Sequence, residues 1–243
     1  MIANEFVATP LVSEIETLVD GVHGWSPVDQ LFTLSTLAYA TSHLPGDVVE
    51  VGSWFGRSAV VLGSAARDTH GVVHCIDPFP ERSDWKQNGD GSYSFEVDID
   101  GHRLVGFKEH TVWADPFEKQ IKPAYAEHRS VFEGFMSNVN RRGLADVVRP
   151  HRGTARTFAA QAPFGFQCRL LFLDGDHSYD AVLEDFHLLT PFVVPGGWIC
   201  FDDAFSNYEG VNRAISQLVL DNPEFDVKRQ MTRKCFVARK VLR

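Results

Sequence analysis

An α/β fold built on a mostly parallel sheet is predicted for this chain of 243 residues by three observations. A β-branched run, "DVVEV", passes through Gly52 and Gly56 into the apolar-periodic "SAVVLGSAA", and a second β-like run, "GVVHCID", follows. Parallel neighbours need a crossover of this kind. The same alternation returns later as "RLLFLDGDH", "SYDAVLEDFHLLTPFV" and "GGWICFDDAF". Two short β-like segments near the C-terminus, "FDVKRQ" and "KCFVARK", suit an antiparallel pair at a sheet edge.

The elements can be justified in order. "LVSEIETLVDGV" and "VDQLFTLSTLAYATSHL" carry apolar residues at helical spacing, and Ser26-Pro27 before the second reads as an N-cap followed by Pro at the first helical position. These helices make up an N-terminal segment, 1–45, of one domain spanning 1–243. After the second strand, residues 79–130 interrupt the pattern with Gly, Pro, Asp and aromatics. So long an interruption reads as a lid or inserted subdomain. Its Trp85, Tyr93, Phe95, Trp113 and Tyr125 suit either stacking on an acceptor or packing a homo-oligomer interface. A helix near Val131 to Arg142, a strand at Val147 to His151 and a short helix from Thr154 restore the alternation.

Composition narrows the function classes. With 44% hydrophobic and 23% charged residues, the chain can bury a sizeable core. A formal charge of −9 is the wrong sign for neutralising nucleic-acid phosphates. Apolar runs are too short for a membrane span, and the N-terminus lacks a signal-peptide pattern, so a cytoplasmic protein is expected. Cys75, Cys168, Cys200 and Cys235 form no CxxC pair and read as reduced core residues.

Two constellations carry chemistry. In "VVEVGSWFGRS", Glu50, Gly52, Ser53, Gly56 and Ser58 surround a strand-to-helix turn. Glycines let backbone approach a ligand closely, and the next helix offers free N–H groups. A tight turn without a ligand is the alternative. Asp77 ends the second strand 25 positions after Gly52, near the offset at which a carboxylate reaches a ribose. It would otherwise cap the turn before Pro78. The second constellation is Asp174 with His177 at the end of one strand, and Asp202 with Asp203 at the end of the next. If the strands adjoin, three carboxylates converge, which calls for a positive charge among them, and oxygen donors suit Mg²⁺, Mn²⁺ or Ca²⁺ rather than zinc. Separately, the carboxylates could be helix caps. A neutral imidazole at His177 is suited to taking a proton; a packed or capping histidine is the ordinary alternative.

These motifs, with "IDPF", "HRGTA" and "PGGWICFDDAF", resemble the class I S-adenosylmethionine-dependent methyltransferases, and more narrowly the macrocin O-methyltransferase group of sugar and natural-product enzymes. The resemblance runs from about Asp47 to Phe205 outside the insertion. It implies a Rossmann-like seven-stranded sheet with helices on both faces. It also implies S-adenosyl-L-methionine held by Glu50, Gly52, Ser53, Gly56, Ser58, Asp77, Thr154, Ala155 and Asp174. Mg²⁺ or Mn²⁺ would be held by Asp174, Asp202 and Asp203, with His177 as catalytic base. The implied reaction methylates a hydroxyl of a small molecule, a sugar or a glycosylated or polyphenolic natural product. The group usually has Glu where this chain has Asp202. Cephalosporin hydroxylase-like oxygenases share similar acidic motifs, but no two-His, one-carboxylate iron triad is evident here. A non-catalytic S-adenosylmethionine-binding protein is a third possibility.

Overall fold

A computed structural model describes residues 11–107 and 112–242. The first ten residues of the expected N-terminal segment, and 108–111 of the expected insertion, lie outside the described residues.

Helices α1 (Val12–Leu18) and α2 (Val28–Ala40) lead into β1 (Asp47–Val51), α3 (Arg57–Asp68) and β2 (Val73–Asp77). Pro27 stands just before α2 rather than inside its first turn. Strands β3 (Trp85–Gln87), β4 (Tyr93–Ile99) and β5 (His102–Gly106) form a separate antiparallel sheet. Helical pieces follow: α4 (Ala114–Pro116), a π-helical turn at Phe117–Ile121, and α5 (Lys122–Glu127). The main alternation resumes with α6 (Val131–Arg141), β6 (Val148–Arg152), α7 (Ala155–Gln161), β7 (Cys168–Leu173), α8 (Tyr179–Leu189) and β8 (Val193–Phe201). Helix α9 (Glu209–Ile215), which the sequence pattern did not mark, precedes the hairpin β9 (Phe225–Gln230) and β10 (Phe236–Lys240).

The main sheet has seven strands in the order β6-β2-β1-β7-β8-β10-β9. The β1–β2, β2–β6, β1–β7 and β7–β8 pairs are parallel, whereas β10 runs antiparallel to β8 and β9. All six residues of β7 are buried, as expected of a central parallel strand covered on both faces. Successive β1 residues point to opposite faces. Val48 joins a core with α1, α2, α3, α6 and the inserted sheet, while Val49 joins one with α7, α8 and α9. The four cysteines are free and buried.

The chain runs outward from β1 through β2 to β6 and then returns to β7 on β1's other side. Ligands bind at such reversals in open α/β sheets, beyond the carboxyl ends of the strands. Gly52 N–H donates to Ile76 O, Asp174 N–H to Val51 O, and Asp202 N–H to Leu173 O. These bonds set the expected site residues along one rim.

Candidate functional site

The glycine turn is fixed by sterics before any ligand is considered. Gly52 has φ +87°, and a Cβ there would lie 1.8 Å from the carbonyl oxygen of Asp174. Gly52 therefore lets β1 and β7 leave the sheet side by side. Gly56, also at φ +87°, sits at the N-cap of α3. Between them Trp54 adopts φ +47°, an unusual conformation for a bulky side chain. Its N–H donates to Asp77 Oδ2 at 2.8 Å, and Phe79 N–H donates to Asp77 Oδ1 at 2.6 Å. Asp77 thus braces the turn, with Ser53 N–H a further backbone donor, and a carboxylate with about four acceptor sites keeps capacity for a ligand hydroxyl. Burial pushes its carboxyl up to about 6, against the pull of these N–H groups.

Glu50 lies under the turn, fully buried. Neither carboxylate oxygen has a hydrogen-bond partner of good geometry, nor does the buried Ser53 hydroxyl. Burial pushes Glu50 up to about 7, with nearby Ser58, Ser53 and Cys75 pulling the other way. A buried carboxylate held only by poorly aligned hydroxyl and thiol neighbours is suited to a cationic ligand group. Thr154 and Ala155 reach the same rim through β6. Gly153 N–H donates to Asp77 O, while the Thr154 side chain caps α7 by accepting from Thr157 N–H at 3.4 Å. Ala155 is buried against the sheet.

The second half of the rim brings the acidic residues together. Consecutive residues on a strand point to opposite faces. Asp202 and Asp203 escape this rule because β8 ends at Phe201 and Asp203 takes φ +49°. His177 Nε2 lies 3.7 Å from Asp174 Oδ1 and 3.9 Å from Asp202 Oδ2; its Nδ1 lies 3.8 Å from Asp203 Oδ2. Asp174, His177 and Asp202 each offer one ligand atom within 4.8 Å of the others, a grouping fit for a metal ion. Asp203 lies outside that grouping.

The imidazole of His177 is 8% exposed, and the Tyr208 ring packs on it with centroids 4.8 Å apart. Burial lowers its pKa, with Asp202 and Asp203 opposing, which favours the neutral ring. Ser178 caps α8, and Asp176 accepts from Ser178 N–H at 2.8 Å. Burial and the neighbouring Asp202 charge push Asp174 well above the usual carboxylate range. Burial also acts against ionised Asp202, but Asp174, Lys234 and His177 hold it low.

Two partners of the acidic group had no motif to mark them. Gln30, on α2, donates from Nε2 to Asp202 Oδ1 at 2.7 Å. Lys234, just before β10, places Nζ 3.1 Å from Asp202 Oδ2 and 3.2 Å from Asp203 Oδ1. The positive charge expected among the carboxylates is therefore supplied in part by the chain. Were all three carboxylates ionised, as a bound cation would hold them, the one ammonium would leave the cluster a net charge of −2. That balance, and the oxygen-rich donor set, fit one divalent cation.

Most of the insertion's aromatics are packed inward. Trp85, Phe95 and Tyr125 are buried, Tyr93 stacks on Phe117, and only Trp113 of the five is exposed. Trp85 Nε1–H donates to the Tyr125 hydroxyl, which donates to Pro80 O. A three-stranded sheet needs an apolar face to pack, and these rings join it to the core shared with α1, α2, α3 and α6. The accessible aromatic wall is made instead by Trp25 and Trp54, with ring centroids 5.7 Å apart, beside a cavity of about 320 Å³. His23, Lys119 and Gln120 also line this cavity.

Comparison with known proteins decides the family, for residues 49–204 match the model of a methyltransferase domain. The chain belongs to the methyltransferase-domain family. This methyltransferase domain is 30% identical over 165 residues to the 8-demethyl-8-(2,3-dimethoxy-alpha-L-rhamnosyl)-tetracenomycin-C 4'-O-methyltransferase of Streptomyces olivaceus, covering 66% of this chain and 53% of that protein. A 55-residue stretch is 42% identical to an uncharacterized protein of Acanthamoeba polyphaga mimivirus, covering 21% of this chain and 24% of that one. The chain thus spans about half, or less, of the length of these relatives. Among solved structures, the O-methyltransferase NovP superposes with a TM-score of 0.63 at 16% identity, covering 95% of this chain and all of that one. The O-methyltransferase TomG from Streptomyces achromogenes, in complex with S-adenosylmethionine, gives 0.54 at 16% identity, covering 98% and 93%. Both likenesses establish the seven-stranded Rossmann-like fold of the methyltransferase domain. No helix among the described residues is long and apolar enough to cross a membrane.

Proposed function

We propose that the chain is an S-adenosylmethionine-dependent O-methyltransferase acting on a hydroxyl of a small molecule, a sugar or a glycosylated or polyphenolic natural product. The observation that carries this reading is the placement of a buried His177 among Asp174, Asp202 and Asp203, on the same rim as the buried Glu50. Family membership supports methyl transfer, and the named activity of the Streptomyces olivaceus relative supports a hydroxyl acceptor on a glycosylated compound.

Glu50 and Ser53 would hold the amino-acid end of the methyl donor, and Asp77 its ribose hydroxyls, with the Gly52 and Gly56 turn passing beneath. Ser58 tunes Glu50 from the first turn of α3. Thr154 and Ala155 form the rim nearest Asp77, suited to the adenine. Asp174 and Asp202, with Asp203 beside them, would hold a divalent cation, whose chemistry is to stabilise negative charge on an acceptor oxygen. His177 takes the acceptor's hydroxyl proton, with the Tyr208 ring packed on the imidazole. The donor bears an electrophilic sulfonium methyl. Orientation of the acceptor oxygen behind it can supply roughly 7–11 kcal/mol of the barrier. Trp25 and Trp54 offer a stacking wall for the acceptor.

The test is release of S-adenosylhomocysteine in a screen of glycosylated and phenolic acceptors, with Mg²⁺ or with EDTA. Acceptor-dependent release with Mg²⁺, lost in EDTA, is expected. Release that persists unchanged in EDTA would remove the cation from the reading. Absence of donor binding would remove methyl transfer.

A further inference from the structure

Lys234 is not part of any expected ligand set, yet it is the cation nearest the acidic group. Its side chain is 13% exposed, and Nζ bridges Asp202 Oδ2 and Asp203 Oδ1. The main chain holds it there. Ala204 N–H donates to Lys234 O at 2.9 Å, and Gln230 Nε2 donates to Ala204 O at 3.3 Å, so the C-terminal hairpin is tied to the turn that carries the two aspartates. From the other side Gln30 fixes Asp202 Oδ1. Asp174 meets this bridge through a side-chain hydrogen bond with Asp202, and His177 lies between Asp174 and Asp203.

We propose that Lys234 is a resident cation that sets the charge of the acidic site, reducing three carboxylates to a net −2 so that one divalent ion is accommodated, and weakly. The inference rests on the divalent cation in the proposed function. Burying three carboxylates with no counter-charge would be costly in the ion-free protein, and an ammonium tethered to the fold removes part of that cost. The same ammonium repels an entering metal ion across a few ångströms of protein. Lys234 is thus a positioning residue for the Asp202–Asp203 pair and a limit on metal affinity. Without it, a site of net −3 would favour a trivalent ion.

The experiment is calorimetric titration of the full chain with Mn²⁺ and with La³⁺, with no methyl donor or acceptor present, comparing wild type, Lys234→Met and Lys234→Arg. The charge argument predicts Mn²⁺ binding at least roughly tenfold tighter in Lys234→Met, a larger gain for La³⁺, and near-wild-type values in Lys234→Arg. Unchanged or weaker Mn²⁺ binding in a folded Lys234→Met protein overturns the proposal. Should Lys234→Met not fold, Lys234→Gln, which keeps a hydrogen-bond donor without the charge, is read by the same criteria. A wild-type protein that binds no Mn²⁺ while the neutral variant binds one would show Lys234 replacing the metal outright. That result keeps Lys234 as the resident cation but overturns the accommodation of a divalent ion, and with it the metal in the proposed function. Binding in neither protein overturns both.

Discussion

Replacing Glu50 with glutamine should make the ion-free, donor-free protein more stable and at the same time weaken its hold on the methyl donor. Glu50 is fully buried and its carboxyl is pushed up to about 7 from an ordinary 4.5. Below pH 4.5 both the folded and the unfolded chain hold this proton, and it contributes nothing to the pH dependence. Between pH 4.5 and 7 the unfolded chain releases a proton that the folded chain keeps, so stability falls with rising pH. Above pH 7 the loss is complete. At about 1.4 kcal/mol per pH unit, raising this carboxyl from 4.5 to about 7 costs the folded chain about 3 kcal/mol. Glu50→Gln removes this penalty. Urea unfolding at about pH 5 and about pH 8 should show the variant close to wild type at the lower pH and up to about 3 kcal/mol more stable at the higher one. For a domain of this size that is roughly 6–12 °C in Tm. A variant less stable than wild type by the same amount at both pH values would refute the reasoning, because the carboxyl would then act through shape rather than charge. The donor side has the opposite sign. An ionised Glu50 facing a ligand ammonium recovers its burial cost, so affinity for S-adenosylmethionine should rise with pH through about 7 in wild type and lose that dependence in Glu50→Gln.

Further outcomes follow from other parts of the rim. His177→Ala should lower kcat by about 10²–10⁴-fold while leaving donor affinity unchanged, as single-turnover kinetics and calorimetry can separate. Gly52→Ala should cost about 4 kcal/mol or more in urea unfolding, since a methyl cannot occupy 1.8 Å from the Asp174 carbonyl oxygen. Trp25→Ala should raise the acceptor KM by about tenfold or more with little change in donor affinity, if the exposed Trp25–Trp54 wall stacks on the acceptor.

Much of this arrangement was legible because strand alternation and strand ends are encoded locally. The buried run before Asp174 needed a covered parallel position, and the sheet order sets β7 beside β8, which brings Asp202 next to Asp174. The glycine at 52 was also legible, although its first duty is to clear the Asp174 carbonyl rather than to approach a ligand. The inserted sheet carried a local signal that its polar residues masked. Phe95, Val97 and Ile99 alternate, and Asp100-Gly101 follows with φ of +53° and +80°, a two-residue hairpin turn. Reading that period would have placed Phe95 in a core instead of on a lid. Gln30 and Lys234 had no such signal. Each reaches the acidic group from a remote segment, and a lysine at the start of "KCFVARK" resembles any solvated strand end until the β9–β10 hairpin docks beside β8. Asp203 shows the same limit, because its left-handed φ is what turns two consecutive aspartates towards one point.

Calorimetric titration of the folded wild-type chain with S-adenosylmethionine at about pH 8, above the Glu50 transition, tests the central claim most directly. One molecule should bind per chain, with binding weakened by Glu50→Gln and by Asp77→Asn and unaffected by His177→Ala. A chain that unfolds cooperatively yet takes up no S-adenosylmethionine under these conditions would contradict the account.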